Sequence, residues 1–395
     1  MTALTAEARH PGARGVDRRA AFRVEFVRDW EQATTRCSEV RPSTLFQDTR
    51  WLDAWYKAFA NVGHVEPLIA VISDAVTSQH VALLPLVRRV QSGIRIIEFA
   101  DLELTDYNAP MLGPAAPRDA RAARALWVDL LVALRRMPGG ADLIRLRKMP
   151  VDLDGRPNPL SLLDGAKPSS LNGNVVVTGD DFNAYRFSLE RTVRKELERS
   201  WRVFRRDPAA AFQIVSDRDH ALRVLANMEI QQGARMQHLG LNFILNGETC
   251  AAFYRNLVGG NLRSGYAVLS ALTAGEEVVA TLLGIRVDSR YVMVRISNAG
   301  EKWSNCSPGR LIIERTMAAL HRDGVRQFDF SVGNYAYKRR FGVTPLPLAD
   351  ITAALSWRGL PYILRDRAVR ELRRHPRLAA QVGRALGKPP SREEN

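Results

Sequence analysis

The sequence predicts an α/β (α+β) chain of two lobes, each a mixed, mostly antiparallel sheet flanked by helices. Three observations point there. At 395 residues the chain is longer than one hydrophobic core usually serves. Short strand-like runs interleave with segments of helical period. Both halves contain a strand hairpin followed by a helix of similar length, a weak internal duplication rather than a solenoid repeat. The 46% hydrophobic and 25% charged fractions fit a globular protein. Arg88, Arg89 and Arg95 break the apolar stretch 81–99, so no run reaches the roughly 18 residues of a membrane-spanning helix, and a soluble protein is expected.

In order along the chain, residues 1–20 are basic but lack the apolar segment of a secretory signal, and are read as a disordered leader. FRVEFV (22–27) reads as a strand. STLFQDTRWLDAWYKAFA (43–60) reads as an amphipathic helix, with Trp51, Leu52, Trp55 and Phe59 at helical spacing. PLIAVIS, VALLPLVRRV and IRIIEFA follow as an antiparallel meander. A helix within 120–137 stops at Pro138-Gly139-Gly140, and DLIRLRKMP resumes as a strand. The stretch 150–180, rich in Pro, Gly, Asn and Ser, is the expected boundary between a lobe at 21–170 and a second at 180–355. In the second, YRFSL (185–189) looks strand-like. A basic helix over 189–206 ends at Asp207-Pro208, and further helices cover about 218–232 and CAAFYRNLV (250–258). Three strands follow, turning at Gly275-Glu276 and at Asp288-Ser289. Residues 356–395 form a basic helical tail, interrupted at Pro376. It reads either as a solvated surface helix or as a contact with an anionic membrane or a partner.

Lys and Arg number 57 against 42 Asp and Glu, a formal charge of +15. Such a balance suits anionic partners, whether nucleic acid, acidic lipid or the phosphates of coenzyme A; a genome that favours arginine codons is the plainer explanation. Cys37, Cys250 and Cys306 form no CxxC pair, which argues against structural zinc and a disulfide framework and fits reduced cytosol.

The most informative stretch is 298–343. Ser307 as N-cap, Pro308 at the first helical position and Gly324 at C′ punctuate a helix over 308–323. Gly309 leaves the first turn without a side chain, so free amides and the helix dipole make an anion cradle, with the charge of Arg310 beside it. A simple helix cap explains the same residues. The strand VRQFDF follows, then GNYAYKRRFG, which gathers Tyr337, Lys338, Arg339 and Arg340.

Here the chain resembles a known family. SPGRLIIERTMAAL followed by GVRQFDFSVGNYAYKRRFG is similar to the C-terminal signature of CelD-like acetyltransferases of the GNAT superfamily. FQDTRWLDAWYKAF, ADLELTDYNAPML and RTVRKELERSWRVFRR resemble further segments of that family, so the resemblance runs from about 40 to 345. It implies two GNAT-like lobes, related to those of the Fem-type aminoacyl transferases. It also implies a bacterial, cytoplasmic enzyme, or one peripheral to the inner membrane, linked to cellulose or exopolysaccharide biosynthesis. Acetyl-CoA or another acyl-CoA would be the co-substrate, with no metal. Ser307, Pro308, Gly309 and Arg310 would hold the pyrophosphate, and Tyr337 with Lys338 would line the reacting end. Where family members often carry acidic residues, this chain has Asn334-Tyr335-Ala336, so the resemblance leaves the general base unassigned.

Direct attack of an acceptor on a thioester needs a base, a donor for the developing oxyanion and a proton for the thiolate. Tyr337 is the candidate proton donor or, equally, a core tyrosine. Asp329, between two phenylalanines, and Glu277 are candidate bases; burial of Asp329 would raise its pKa. Asp106 and Tyr107 read as a turn ending at Pro110 or as acceptor contacts reaching over from the first lobe. His238 reads as an exposed loop histidine or an acceptor contact. Cys306 lacks a visible His or Asp to activate it as a nucleophile. The expected activity is N- or O-acyl transfer to a small-molecule or glycan-precursor acceptor. The alternatives are a Fem-type aminoacyl-tRNA-dependent transferase and a catalytically degenerate scaffold that binds a membrane synthase. A nucleic-acid-binding module is disfavoured, because the basic residues are dispersed and no reading motif occurs.

Overall fold

The computed structural model describes residues 20–60, 62–240 and 247–374. The expected leader, up to residue 19, and the tail beyond 374, with its break at Pro376, lie outside the described residues. The first half contains β1 (Phe22–Val27), α1 (Trp30–Arg36), α2 (Thr49–Phe59), β2 (Val65–Pro67), β3 (Ile69–Asp74), β4 (His80–Leu84) and β5 (Leu86–Gln91). It continues with β6 (Ile94–Phe99), β7 (Met111–Leu112), α3 (Ala120–Arg136), β8 (Leu143–Pro150) and β9 (Lys167–Pro168). The second half contains β10 (Gly173–Val177), α4 (Phe182–Ser188), α5 (Arg191–Phe204), β11 (Ala210–Ile214), α6 (Arg218–His238) and α7 (Glu248–Asn261). Then come β12 (Ala267–Ala274), β13 (Glu277–Val287), β14 (Arg290–Asn298), α8 (Pro308–Arg322), β15 (Gln327–Asp329) and α9 (Ala336–Arg339). β16 (Thr344–Leu346), β17 (Leu348–Ala354) and α10 (Leu360–Arg374) complete the chain.

The predicted meander of the first half divides between two sheets, ordered β1-β3-β4-β7 and β2-β5-β6-β8-β17-β9. VALLPLVRRV is one apolar run in sequence, but Pro85 offers no amide to a ladder, and the chain changes sheets there. The second half builds one sheet of seven strands, β11-β12-β13-β14-β15-β10-β16. The Pro/Gly-rich stretch between the halves itself carries β9 and β10. β10, which precedes the second lobe's helices, pairs antiparallel with β15 inside that lobe's sheet. β17, near the end of the described chain, pairs antiparallel with β8 of the first lobe. The first lobe's larger sheet is thus completed by a strand from beyond its own run of sequence. YRFSL, expected as a strand, lies in α4; the Asp181 carboxylate accepts from the Asn183 amide and starts a helix there instead.

The internal duplication is visible in the pairing. An antiparallel hairpin, a helix and a parallel strand recur as β5-β6-α3-β8 and β13-β14-α8-β15. The helix of the second unit closes as the sequence predicts, with Gly324 at φ 90° and the Val325 amide donating to Leu320 O at 3.0 Å. Trp51, Trp55 and Phe59 of α2 pack with Phe253 and Tyr254 of α7, so one apolar core runs across both lobes. Among the described residues no helix is long and apolar enough to cross a membrane.

Candidate active site

In a βαβ unit whose two parallel strands part company, the gap between them opens at the start of the intervening helix. In the first lobe β6 and β8 pair only through Ile96 with Leu143 and Ile97 with Ile144. The opening beyond is filled by the chain itself. The Asn108 amide donates to Lys148 O at 3.0 Å, and its side chain donates to Asp101 Oδ2 at 2.8 Å and to Arg147 O at 3.1 Å. Lys148 pairs with Asp101 at 2.8 Å, both buried. The start of α3 is closed as well, by the Asp119 carboxylate accepting from the Ala122 amide.

The second lobe differs on both counts. β14 and β15 pair only from Arg290–Val292 to Gln327–Asp329. Beyond that, Phe330 and Gly333 turn their amides to Asn174 O and Asn172 O, while β14 runs on beside β13 to Asn298. At the start of α8 no side chain caps the helix. Ser307 occupies the N-cap position expected of it, but in the left-handed conformation (φ 46°). Its hydroxyl accepts from Arg310 Nη2 at 2.9 Å instead of from a helix amide. The sequence argument missed this because it weighed capping propensity and could not see a competing charge-assisted donor. Gly309 faces Asn298, and a Cβ there would stand 3.6 Å from its side-chain amide, an ordinary contact. Arg310 is braced by Glu196 of α5 at 2.6 Å, and Arg340 reaches the same carboxylate at 2.6 Å. Two guanidiniums share one carboxylate, leaving a surplus positive charge beside an uncapped helix start.

Where β15 ends, residues from both lobes converge. Tyr107 Oη, from the first lobe, donates to Asp329 Oδ1 at 2.7 Å, and the Ser331 amide donates to the same oxygen at 2.6 Å. The Ser331 hydroxyl donates to the Asp106 carboxylate. Lys338 is buried, its Nζ donating to Ser331 O at 3.2 Å and to Val332 O at 2.7 Å. Ser331 holds φ 67°, and Lys148, in the equivalent strand of the first lobe, holds φ 59°. Left-handed backbone at non-glycine residues is strained and recurs at functional positions.

Burial dominates the electrostatics of this cluster. It pushes Asp329 up to about 7, against the hydrogen bonds from Tyr107 and the Ser331 amide. It pushes Asp106 up to about 6, against the Ser331 hydroxyl. It pulls the Lys338 ammonium down to about 8, against the attraction of Asp106 and Asp329. Two acids and an amine thus titrate within a narrow range around neutrality, as proton-transfer groups require.

Asp329, Asp106, Tyr107 and Lys338, reached separately from the sequence, therefore meet in space. Ser331 was missed; nothing marks it in sequence except its place next to FDF. Tyr337 lies one residue beyond the cluster, half-buried and stacked on Tyr335 at 6.1 Å, with burial pushing its phenol up to about 12. His238 is exposed in the last turn of α6, not in a loop. Glu277 is removed as a base: it accepts from Trp303 Nε1 and pairs with Lys302, and these contacts hold its carboxyl below the usual value. Cys306 is fully buried, donates to Trp303 O and has its thiol pushed up by burial, so it packs rather than reacts. Among the described residues no group of three or more His, Cys, Asp or Glu is placed to hold a metal ion.

The comparisons with known proteins bear on this lobe most directly. Residues 191–339 match a family model described as an Acetyltransferase (GNAT) domain. The chain is an acyltransferase. No curated protein matches it. Among solved structures it is similar to FemX at 12% identity, over 82% of this chain and 96% of that one, with a TM-score of 0.54. It is also similar to a conserved protein of unknown function from Bacteroides thetaiotaomicron VPI-5482, at 11% identity over 85% and 100% of the chains, TM-score 0.52. A DUF2156 C-terminal domain from Agrobacterium fabrum matches at 12% identity over 86% and 96%, TM-score 0.51. At such identities these likenesses show the fold alone.

Proposed function

We propose that this acyltransferase takes its acyl group from a coenzyme A thioester and passes it to an amine or hydroxyl of a glycan precursor. This is the reading suggested by its resemblance to CelD-like enzymes of cellulose and exopolysaccharide synthesis. The observation that carries it is the seam cluster of Asp329, Tyr107 and Lys338, set where β14 and β15 diverge beneath the uncapped start of α8. The closed gap of the first lobe argues that only the second receives the thioester.

In this reading the diphosphate lies against the first turn of α8, near Arg310, and the thioester follows the gap toward Asp329. A cleft of about 240 Å³ between the lobes, lined in part by Tyr107, Gln327, Asp329 and the Arg290–Asp154 ion pair, admits the acceptor. Asp329, as carboxylate, takes the acceptor's N–H or O–H proton as the new bond to the acyl carbon forms. The C–S bond then breaks and the thiolate takes a proton from Lys338. A thiol titrates near ~8.5 on the reference scale, close to Lys338 and well below Tyr337. Lys338 is therefore the better matched acid, and Tyr337 is assigned to packing beside it.

Thermal unfolding in the presence of acetyl-CoA tests the donor, since a ligand that binds only the folded state raises the midpoint. Stabilisation by acetyl-CoA together with acylation of an amino-sugar or sugar acceptor is the expected result. Stabilisation by charged tRNA and not by acetyl-CoA would replace this reading with the Fem-type one. No response to either would leave a binding scaffold.

A further inference from the structure

We propose that the face formed by Trp357 and α10, at the far edge of the first lobe, docks on an anionic lipid bilayer. α10 has one apolar side that the fold explains, where Tyr362 and Ile363 pack on Ile94, Ile96 and Leu143. It has a second that the fold does not use. Leu360 and Leu364, one turn apart, are 51% and 62% exposed, and Trp357 just before them is 79% exposed. Arg358 ties this turn to the β5–β6 hairpin by donating to Gly93 O at 2.7 Å. An indole and two leucines in water cost free energy that a folded chain ordinarily avoids, and a contiguous group of them marks a contact surface.

The charge around the group selects the partner. From Trp357 to Arg374 the sequence holds six arginines against Asp366 and Glu371. Arg358, Arg365 and Arg367 are exposed. Arg135 donates to Ala354 O at the end of β17 and is exposed too, which adds a cation from α3. In the sequence alone, residues 375–395, outside the described residues, hold four Lys and Arg against two Glu. An exposed indole and leucines sharing this short segment with exposed Arg358, Arg365 and Arg367 match the interface of a negatively charged bilayer, where apolar side chains enter the acyl boundary and arginines meet lipid phosphates. The inference uses no residue of the proposed active site and stands apart from the acyl donor and acceptor.

Co-flotation of the full-length protein with vesicles tests it. One set is phosphatidylcholine alone and the other is phosphatidylcholine mixed with phosphatidylglycerol. Binding is expected to the anionic vesicles, falling as salt is raised. The pair Trp357→Ser and Leu364→Ser should lower partition about tenfold with an unchanged unfolding midpoint, since both side chains are exposed. Arg365→Glu with Arg367→Glu gives an independent variant and should lower it comparably. Failure of the native protein to float with anionic vesicles at low salt overturns the proposal, whatever protein partner the face then meets. So does flotation of both variants at the native level, which would assign binding to charge elsewhere.

Discussion

Tyr107, on a loop of the first lobe, donates a 2.7 Å hydrogen bond to Asp329 at the end of the second lobe's β15, 222 residues away in sequence. With Asp106 bound by the Ser331 hydroxyl beside it, this contact makes the buried cluster a product of both lobes. The first lobe, whose own gap is filled, bears on the protonation of Asp329 through this hydrogen bond, which works against the rise that burial causes. Two groups that titrate near 7 and near 8, Asp329 and Lys338, predict a bell-shaped pH dependence of kcat/KM.

Tyr107→Phe should move one limb of that bell. The phenol stabilises the Asp329 carboxylate; without it the carboxyl holds its proton to higher pH. A hydrogen bond to a charged group contributes about 1.5–3 kcal/mol, which corresponds to a rise of about one to two pH units in the ascending limb. Activity at pH 7 falls accordingly and recovers in part at higher pH. An ascending limb that stays in place would remove Asp329 from the base role.

Asp329→Asn should alter the dependence of stability on pH, with a definite sign. The native carboxyl titrates at about 7 and an unfolded one near ~3.9. Folding therefore favours the protonated acid, a contribution fully present below the unfolded value and lost as pH rises through the folded one. Relative to Asp329→Asn, the native protein should lose stability between about pH 4 and 7 and run parallel above, with a total difference of no more than about 4 kcal/mol. Urea midpoints measured for both proteins across that range check it; a native protein that gained stability relative to Asp329→Asn as pH rose from 4 to 7 would contradict the burial argument.

How much of this was legible in the sequence depended on the range of the interaction. The helix of residues 308–322 was legible because its signals, Pro308 and Gly324, act within one turn. Asp329 and Lys338 were legible as chemistry, and Asp106 with Tyr107 as a possible reach between lobes, but their convergence was not. It depends on β10 and β15 pairing across some 150 residues, and on β17 crossing back to β8. An alternating strand looks the same whichever sheet receives it, so the crossing of β17 left no local trace. The filling of the first lobe's gap was equally invisible, because Asp101, Asn108 and Lys148 carry no spacing that sets them apart from surface residues. YRFSL misled for a different reason: its aromatic residues suit a strand, but the start signal of Asp181 overrode them.

Glu196→Gln should strengthen coenzyme A binding. The Glu196 carboxylate neutralises part of the charge of Arg310 and Arg340 at the start of α8. Its removal leaves two guanidiniums for a diphosphate, so the dissociation constant should fall several-fold at low salt and the gain should shrink as salt is raised. Arg310→Ala should act in the opposite direction. Calorimetric titration with coenzyme A at two salt concentrations reads both; weaker binding by Glu196→Gln would mean that the carboxylate positions Arg310 more than it competes with the ligand.

Gly173→Ala should disable the seam without replacing any of its titrating groups. Gly173 opens β10, and a Cβ placed there would lie 2.9 Å from two ring carbons of Tyr107 and overlap its hydroxyl. β10 is fixed on both sides, by β15 and by β16, so the backbone cannot easily retreat and the tyrosine must. Tyr107 is buried and packs edge-on to Phe46 at 5.9 Å, so the shift breaks its bond to Asp329 and disturbs the packing around Phe46. Overpacking of this kind costs about 1–3 kcal/mol, and the pH profile should move as it does in Tyr107→Phe. The two changes act on one contact, so adding Tyr107→Phe to Gly173→Ala should shift the ascending limb little further. Fully additive shifts in the double variant would show that Gly173 influences the site by another route.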